Sequence, residues 1–315
     1  MAMNYNTNNN SALIASEPSG WGGQWTEEKL KAFEDYVSAY LTIMNKHRDK
    51  NNWKLIYFDG FAGSGSRQDT EKDPSSDLLE DLFKETFLQK EELEVYKGAA
   101  ERVLSIPQRG FDFYYFIDKD KESSIKLHEL LSPFQNDKTL VYRNSDANKQ
   151  VEMLAAAMHE DMNLAALVLL DPFGMQVDWK SIEQLKGTRT DLWILIPTGV
   201  IINRLLDRKA ELTHISKLSS FFGKDEFFLR SYFYPKTQEH TLFGELEIVR
   251  KVEQPIQKIA ELYVQQLKSI FSQVTPKPLV LYNTKNVPIY HFACASNNQA
   301  AIKIAGDIIK KIQKK

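Results

Sequence analysis

Short apolar runs alternate along the chain with longer stretches in which apolar residues recur every three or four positions. This is the rhythm of strands separated by helices. The first helical stretch places Leu30, Phe33, Val37, Tyr40, Leu41 and Met44 on one face. Thr26 reads as its N-cap, with Glu27 and Glu28 in the first turn, where the helix dipole favours acids. Asn51-Asn52 ends it. Five runs then read as strands, at residues 53–58, 113–117, 139–142, 164–170 and 191–196. Helical spacing begins near Gly98 and covers 123–131, 151–159 and 179–185. Strands that are apolar on both faces and alternate with helices predict an α/β fold with an open, mostly parallel sheet.

The rhythm breaks after the fifth strand. Residues 200–272, with Phe221-Phe222 and Phe227-Phe228, predict an inserted, mostly helical cap. Residues 278–282 and 289–295 flank a Thr284-Lys285-Asn286 turn, predicting an antiparallel hairpin, and an amphipathic helix over 299–312 follows. The layout is therefore a disordered tail (1–23), an α/β core (24–199), a cap (200–272) and a C-terminal hairpin and helix (273–315) that complete the core. Within the core an insertion near 66–97 carries a further helix, suggested by Leu78, Leu79, Leu82, Phe83 and Leu88.

Composition narrows the chemistry. A chain of 315 residues that is 43% hydrophobic and 26% charged has enough apolar side chain to build a large core. The lone Cys294 excludes an intrachain disulfide or a Cys-x-x-Cys metal or redox site. The six histidines show no metal spacing, so no metal is expected. The first 23 residues lack the basic start of a secretory signal, and the longest apolar runs fall far short of a membrane span. A soluble, cytoplasmic protein with no membrane partner is the expectation. Forty basic against 42 acidic residues give no global pull toward polyanions. Lys310, Lys311, Lys314 and Lys315, and Arg204, Arg208 and Lys209 in the cap, are either solvated faces or a nucleic-acid contact surface.

Ligands of open α/β sheets bind where the strands end at their carboxyl side, and here those positions are acidic: Asp59, Asp118, Asp146 and Asp171. Asp59 opens the loop Asp59-Gly60-Phe61-Ala62-Gly63-Ser64-Gly65. A P-loop would need Gly-Lys-Ser/Thr, and a dinucleotide loop a third glycine; neither is present, and Asp59 would repel a pyrophosphate. A ligand bearing an ammonium group and no phosphate fits better. S-adenosylmethionine is such a ligand: its ammonium wants a carboxylate at the first loop, its ribose diol an acid after the second strand, and its adenine amine another acceptor.

The same residues resemble the Asp-x-Phe-x-Gly-x-Gly loop of class I, Rossmann-like methyltransferases. That resemblance assigns cofactor binding to Asp59, Gly60, Phe61, Ala62, Gly63 and Gly65, the ribose to Asp118 and the adenine to Asp146. Trp25-Thr26-Glu27-Glu28-Lys29-Leu30, Asp171-Pro172-Phe173-Gly174 and the 290–297 segment, in this order, resemble the bacterial three-Cys-motif partner (TcmP-like) proteins. Asp171, Pro172 and Phe173 match in part the Asp/Asn-Pro-Pro-Tyr/Phe motif of amine methyltransferases, where the acid and a proline carbonyl accept the amine hydrogens. Here Phe173 stands in place of the second proline and Gly174 in place of the stacking aromatic. The resemblance implies N-methylation of a nucleic-acid or related amine. The alternative is a non-catalytic accessory subunit of a three-Cys-motif protein. Trp25 and Lys29 either approach the cofactor's carboxylate or serve as a helix staple and a solvated lysine.

Overall fold

The computed structural model describes residues 24–63, 97–207, 209–241 and 244–314. The tail (1–23), most of the 66–97 insertion and Gly65 lie outside these residues. The α/β part runs α1 (Gln24–Asn51), β1 (Lys54–Asp59), α2 (Lys97–Leu104), β2 (Phe113–Asp118), α3 (Lys121–Leu130), β3 (Leu140–Asn144), α4 (Ala147–Glu160), β4 (Leu164–Leu170), α5 (Trp179–Glu183) and β5 (Thr190–Ile196). A π-helical turn (Thr198–Ile202) and one α-turn (Asn203–Leu205) lead to α6 (Ile215–Phe222), α7 (Glu226–Phe233), β6 (Lys236–Thr241), β7 (Gly244–Val249) and α8 (Pro255–Leu267). The chain ends with β8 (Gln273–Val274), β9 (Leu279–Tyr282), β10 (Pro288–Ser296) and α9 (Gln299–Gln313).

Eight strands form one mixed sheet in the order β3-β2-β1-β4-β5-β10, with β8 and β9 both on the far side of β10. The pairs among β1 to β5 are parallel, and β10 is antiparallel to all its neighbours. The central strands β1, β4 and β5 are buried along nearly their whole length, which is why they read as continuous apolar runs. No described helix is long and apolar enough to cross a membrane.

Helix α1 lies across the sheet, with Phe33 and Tyr36 edge-on to Trp193 of β5 and Tyr40 stacked on Phe111. Thr26 is not its N-cap. The helix already includes Gln24 and Trp25, because the Trp25 ring stacks on Tyr290 of β10 at 5.3 Å and carries the first turn over that strand. Thr26 is consequently buried, and its hydroxyl has no hydrogen-bond partner among the described residues.

The segment after β5 carries, besides its helices, a separate two-stranded antiparallel ribbon of β6 and β7 that the sequence did not announce. Its strand Lys-Thr-Gln-Glu-His-Thr has no apolar residue to announce it. The helices of this segment join the main core, where Phe221 and Trp179 both pack against Tyr263 of α8.

At the amino ends of the strands, carboxylates are consumed by structure. Asp191 of β5 accepts hydrogen bonds from Tyr36 of α1 at 2.8 Å and from Ser296 of β10. Asp112 pairs with the buried Arg48 and accepts the Leu55 amide at 2.6 Å. In α9, Gly306 sits mid-helix, and a Cβ there would meet nothing within 4 Å. Gly306→Ala is expected to raise stability by about 0.5–1 kcal/mol, read by urea denaturation, through helix propensity alone.

Candidate functional site

The sheet reverses direction of growth between β1 and β4, the place where an open parallel sheet offers a crevice at its carboxyl ends. Register sets the acids around it. Asp59 pairs with Phe116 on one side and Leu169 on the other, so Asp118 and Asp171 each lie two residues beyond its partners. One strand further out, Asp118 pairs with Asn144, and Asp146 lies two residues beyond that.

Asp59 is almost fully buried; its Oδ1 accepts the Phe61 amide at 3.2 Å and its Oδ2 the Tyr57 hydroxyl at 3.3 Å. Burial pushes its carboxyl up to about 7, with Asp171 and Asp118 adding repulsion. Tyr57 lies on the same face as Asp59, two residues back along β1. Its own hydroxyl is pushed well up by burial and by the same carboxylate. Sequence reasoning missed Tyr57, although the two-residue period of a strand was enough to pair it with Asp59.

The described part of the glycine loop is closed to anions. The Gly60 amide donates to the Leu169 carbonyl at 2.9 Å and the Ala62 amide to the Ile117 carbonyl at 2.8 Å. The Phe61 amide goes to Asp59, and the Gly63 amide to Asp118 Oδ2 at 2.8 Å. All four donors thus end on protein acceptors, two of them carboxylates, leaving no amide nest for a phosphate. Gly60 is required by close approach, since a Cβ there would fall 2.6 Å from a Leu170 methyl, and Gly63 by its φ of +62°.

Asp118 does not cap the following helix; Asp120 does, through the Ser123 amide. Asp118 instead accepts the Gly63 and Asp120 amides, one on each oxygen, and is half-buried, with its carboxyl raised chiefly by burial. A carboxylate has about four acceptor sites, so two remain. Asp146 is exposed and caps α4 through the Asn148 and Lys149 amides.

Asp171 is buried, and its Oδ2 receives Lys29 Nζ from α1 at 2.7 Å, the ammonium also being buried. Lys29 is therefore neither solvated nor remote: it sits 5.4 Å from the Trp25 ring, which in turn covers Tyr290. Pro172 and Gly174 are buried and Phe173 half-buried. The loop after Gly174 is tied back to α4, because Asn148 donates to the Gln176 carbonyl and accepts the Asp178 amide, both at 2.8 Å.

Beside this crevice, at the end of β5, Thr198 and His291 share a buried hydrogen bond of 2.8 Å. Burial lowers the imidazole's pKa to about 4, keeping it neutral. His291 pairs in register with Ile196, on the face of β10 opposite to Tyr290. Among the described residues, no group of three or more His, Cys, Asp or Glu could hold a metal ion. Neither a known protein family nor any curated protein matches this chain.

Proposed function

We propose that the chain is an S-adenosylmethionine-dependent methyltransferase of class I, Rossmann-like architecture, acting on a nitrogen of a nucleic acid or related amine. The observation that carries this reading is the row of acids at the carboxyl ends of β1, β2 and β4, around a glycine loop whose described amides, at residues 60–63, all end on protein acceptors. Such a site suits a ligand with a cationic head, a diol and no phosphate. The antiparallel β10 beside β5 is in keeping with the same architecture.

In this reading Asp59 takes the cofactor's ammonium and Asp118 its ribose diol. Asp146, with one oxygen engaged in the cap, takes the adenine amine through the other. Bound there, the cofactor supplies a methyl group on a cationic sulfur that leaves as a neutral thioether. Asp171 and the Pro172 carbonyl accept the substrate's N–H groups and aim its lone pair. Asp171, or water, would take the proton that the nitrogen gives up on methylation. Phe173 takes the substrate's flat face.

Calorimetry with S-adenosylmethionine is the direct test. Micromolar binding by the full chain is expected, and no detectable binding at millimolar cofactor would reject the proposal. A second reading, a cofactor-binding accessory subunit without activity of its own, is favoured by the pairing of Asp171 with Lys29. Transfer of labelled methyl to total RNA or DNA by the isolated chain separates the two.

A further inference from the structure

Among the described residues, the acids at the carboxyl ends of β1, β2 and β4 outnumber the one ammonium paired with them, that of Lys29. Lys29 and Asp171 form a buried pair, 2.7 Å apart with side chains 6% and 3% exposed. Their charges cancel over a short distance, in surroundings that screen poorly. Asp59, on the neighbouring strand, has an amide and a phenol as its partners and no basic side chain among the described residues. Two adjacent buried carboxylates are thus treated differently: one is neutralised by α1, and the other is left to meet whatever enters.

We propose that Lys29 is a specificity-determining residue for the cofactor, an inference that rests on the function proposed above. By cancelling Asp171 it leaves Asp59 as the buried charge that reads the ligand, and so sets how strongly the site prefers S-adenosylmethionine to S-adenosylhomocysteine. These ligands share adenine, ribose and amino-acid parts and differ by a methyl group and the positive charge on sulfur. Their affinity ratio therefore isolates the field at the sulfur from the rest of binding. Removing the ammonium leaves one uncompensated negative charge on the strand next to Asp59, and a change in the ratio of about tenfold is expected.

The test is calorimetry of the full chain with each ligand separately, on wild type, Lys29→Met, Asp171→Asn and the double variant. Lys29→Met is expected to raise the preference for the cationic ligand about tenfold, and Asp171→Asn to lower it by a similar factor. The double variant should bring it back toward wild type, because it removes one charge of each sign. A purely structural role for Lys29 would weaken both ligands equally and leave the ratio unmoved, which overturns the proposal. If wild type binds neither ligand, the cofactor reading itself fails. Either single variant can misfold with an unpaired buried charge, but the double variant replaces an ion pair by neutral groups and is expected to fold. A ratio in it more than about threefold from wild type would by itself reject the charge account.

Discussion

If the chain binds S-adenosylmethionine as proposed, Asp59→Asn is expected to weaken that binding by about a hundredfold or more at pH 8, by removing the buried carboxylate proposed to meet the ligand's ammonium. The same substitution should make the protein more stable. In the folded chain burial pushes the Asp59 carboxyl up to about 7, whereas in the unfolded chain it titrates near the usual ~3.9. Between those values the folded state holds a proton that the unfolded state has released, so wild-type stability declines as pH rises through this window. Above about 7 the full cost of a buried, ionised carboxylate stands, on the order of 3–4 kcal/mol. Asparagine escapes it. Denaturation at pH 5 and pH 8 checks the sign: the variant's advantage should be larger at pH 8, and an equal advantage at both would contradict the burial argument. Cofactor affinity of the wild type should fall about tenfold per pH unit below about 7, as the acid takes up its proton.

His291 acts in the opposite sense. Its folded pKa of about 4 lies below the ordinary ~6.5, so the unfolded state binds the extra proton, and stability is lost as pH falls from about 6.5 to about 4. Over that range the two groups offset each other in the wild type. Asp59→Asn should uncover the histidine as a rise in stability with pH.

Gly199→Ala is expected to cost about 3 kcal/mol or more, enough to shift a denaturation midpoint visibly. A Cβ at this position would stand 2.0 Å from the Pro288 carbonyl oxygen and 3.0 Å from its carbon. Both are backbone atoms of β10, so no side chain can rotate aside. The π-helical turn would have to back away from β10 and pull Thr198 off His291. Thr198→Val separates the two effects, since it removes the hydrogen bond without the clash and should cost only about 1–3 kcal/mol. Equal losses in the two variants would mean that the hydrogen bond, and not the close approach, holds the turn.

The sheet was legible because burial on both faces leaves an unmistakable trace: residues 164–170 contain no polar side chain. Asp59, Asp118 and Asp171 were legible for the related reason that each breaks such a run. The β6–β7 ribbon was not, because its strand 236–241 is polar throughout and is held by backbone pairing outside the sheet, leaving no apolar period to read. The Lys29–Asp171 pair was equally silent. Its members are 142 residues apart, and a lysine in the first turns of a helix carries no mark of burial. The length of α1 was misjudged for a tertiary reason: a threonine before two glutamates is a good cap locally, but the contact of Trp25 with Tyr290 outweighs it.

That stacking contact also has a bearing on the order in which the site comes into being. Lys29, the partner of Asp171, lies over the Trp25 ring, yet the ring on which Trp25 stacks belongs to β10, which is made long after α1. A nascent chain that has just completed β5 has every acid of the crevice and most of the surface on which α1 packs, but presents β5 as a bare edge and lacks the Tyr290 ring that holds the first turn of α1. A product truncated before residue 288 would therefore lack both the partner strand of β5 and the ring on which Trp25 stacks.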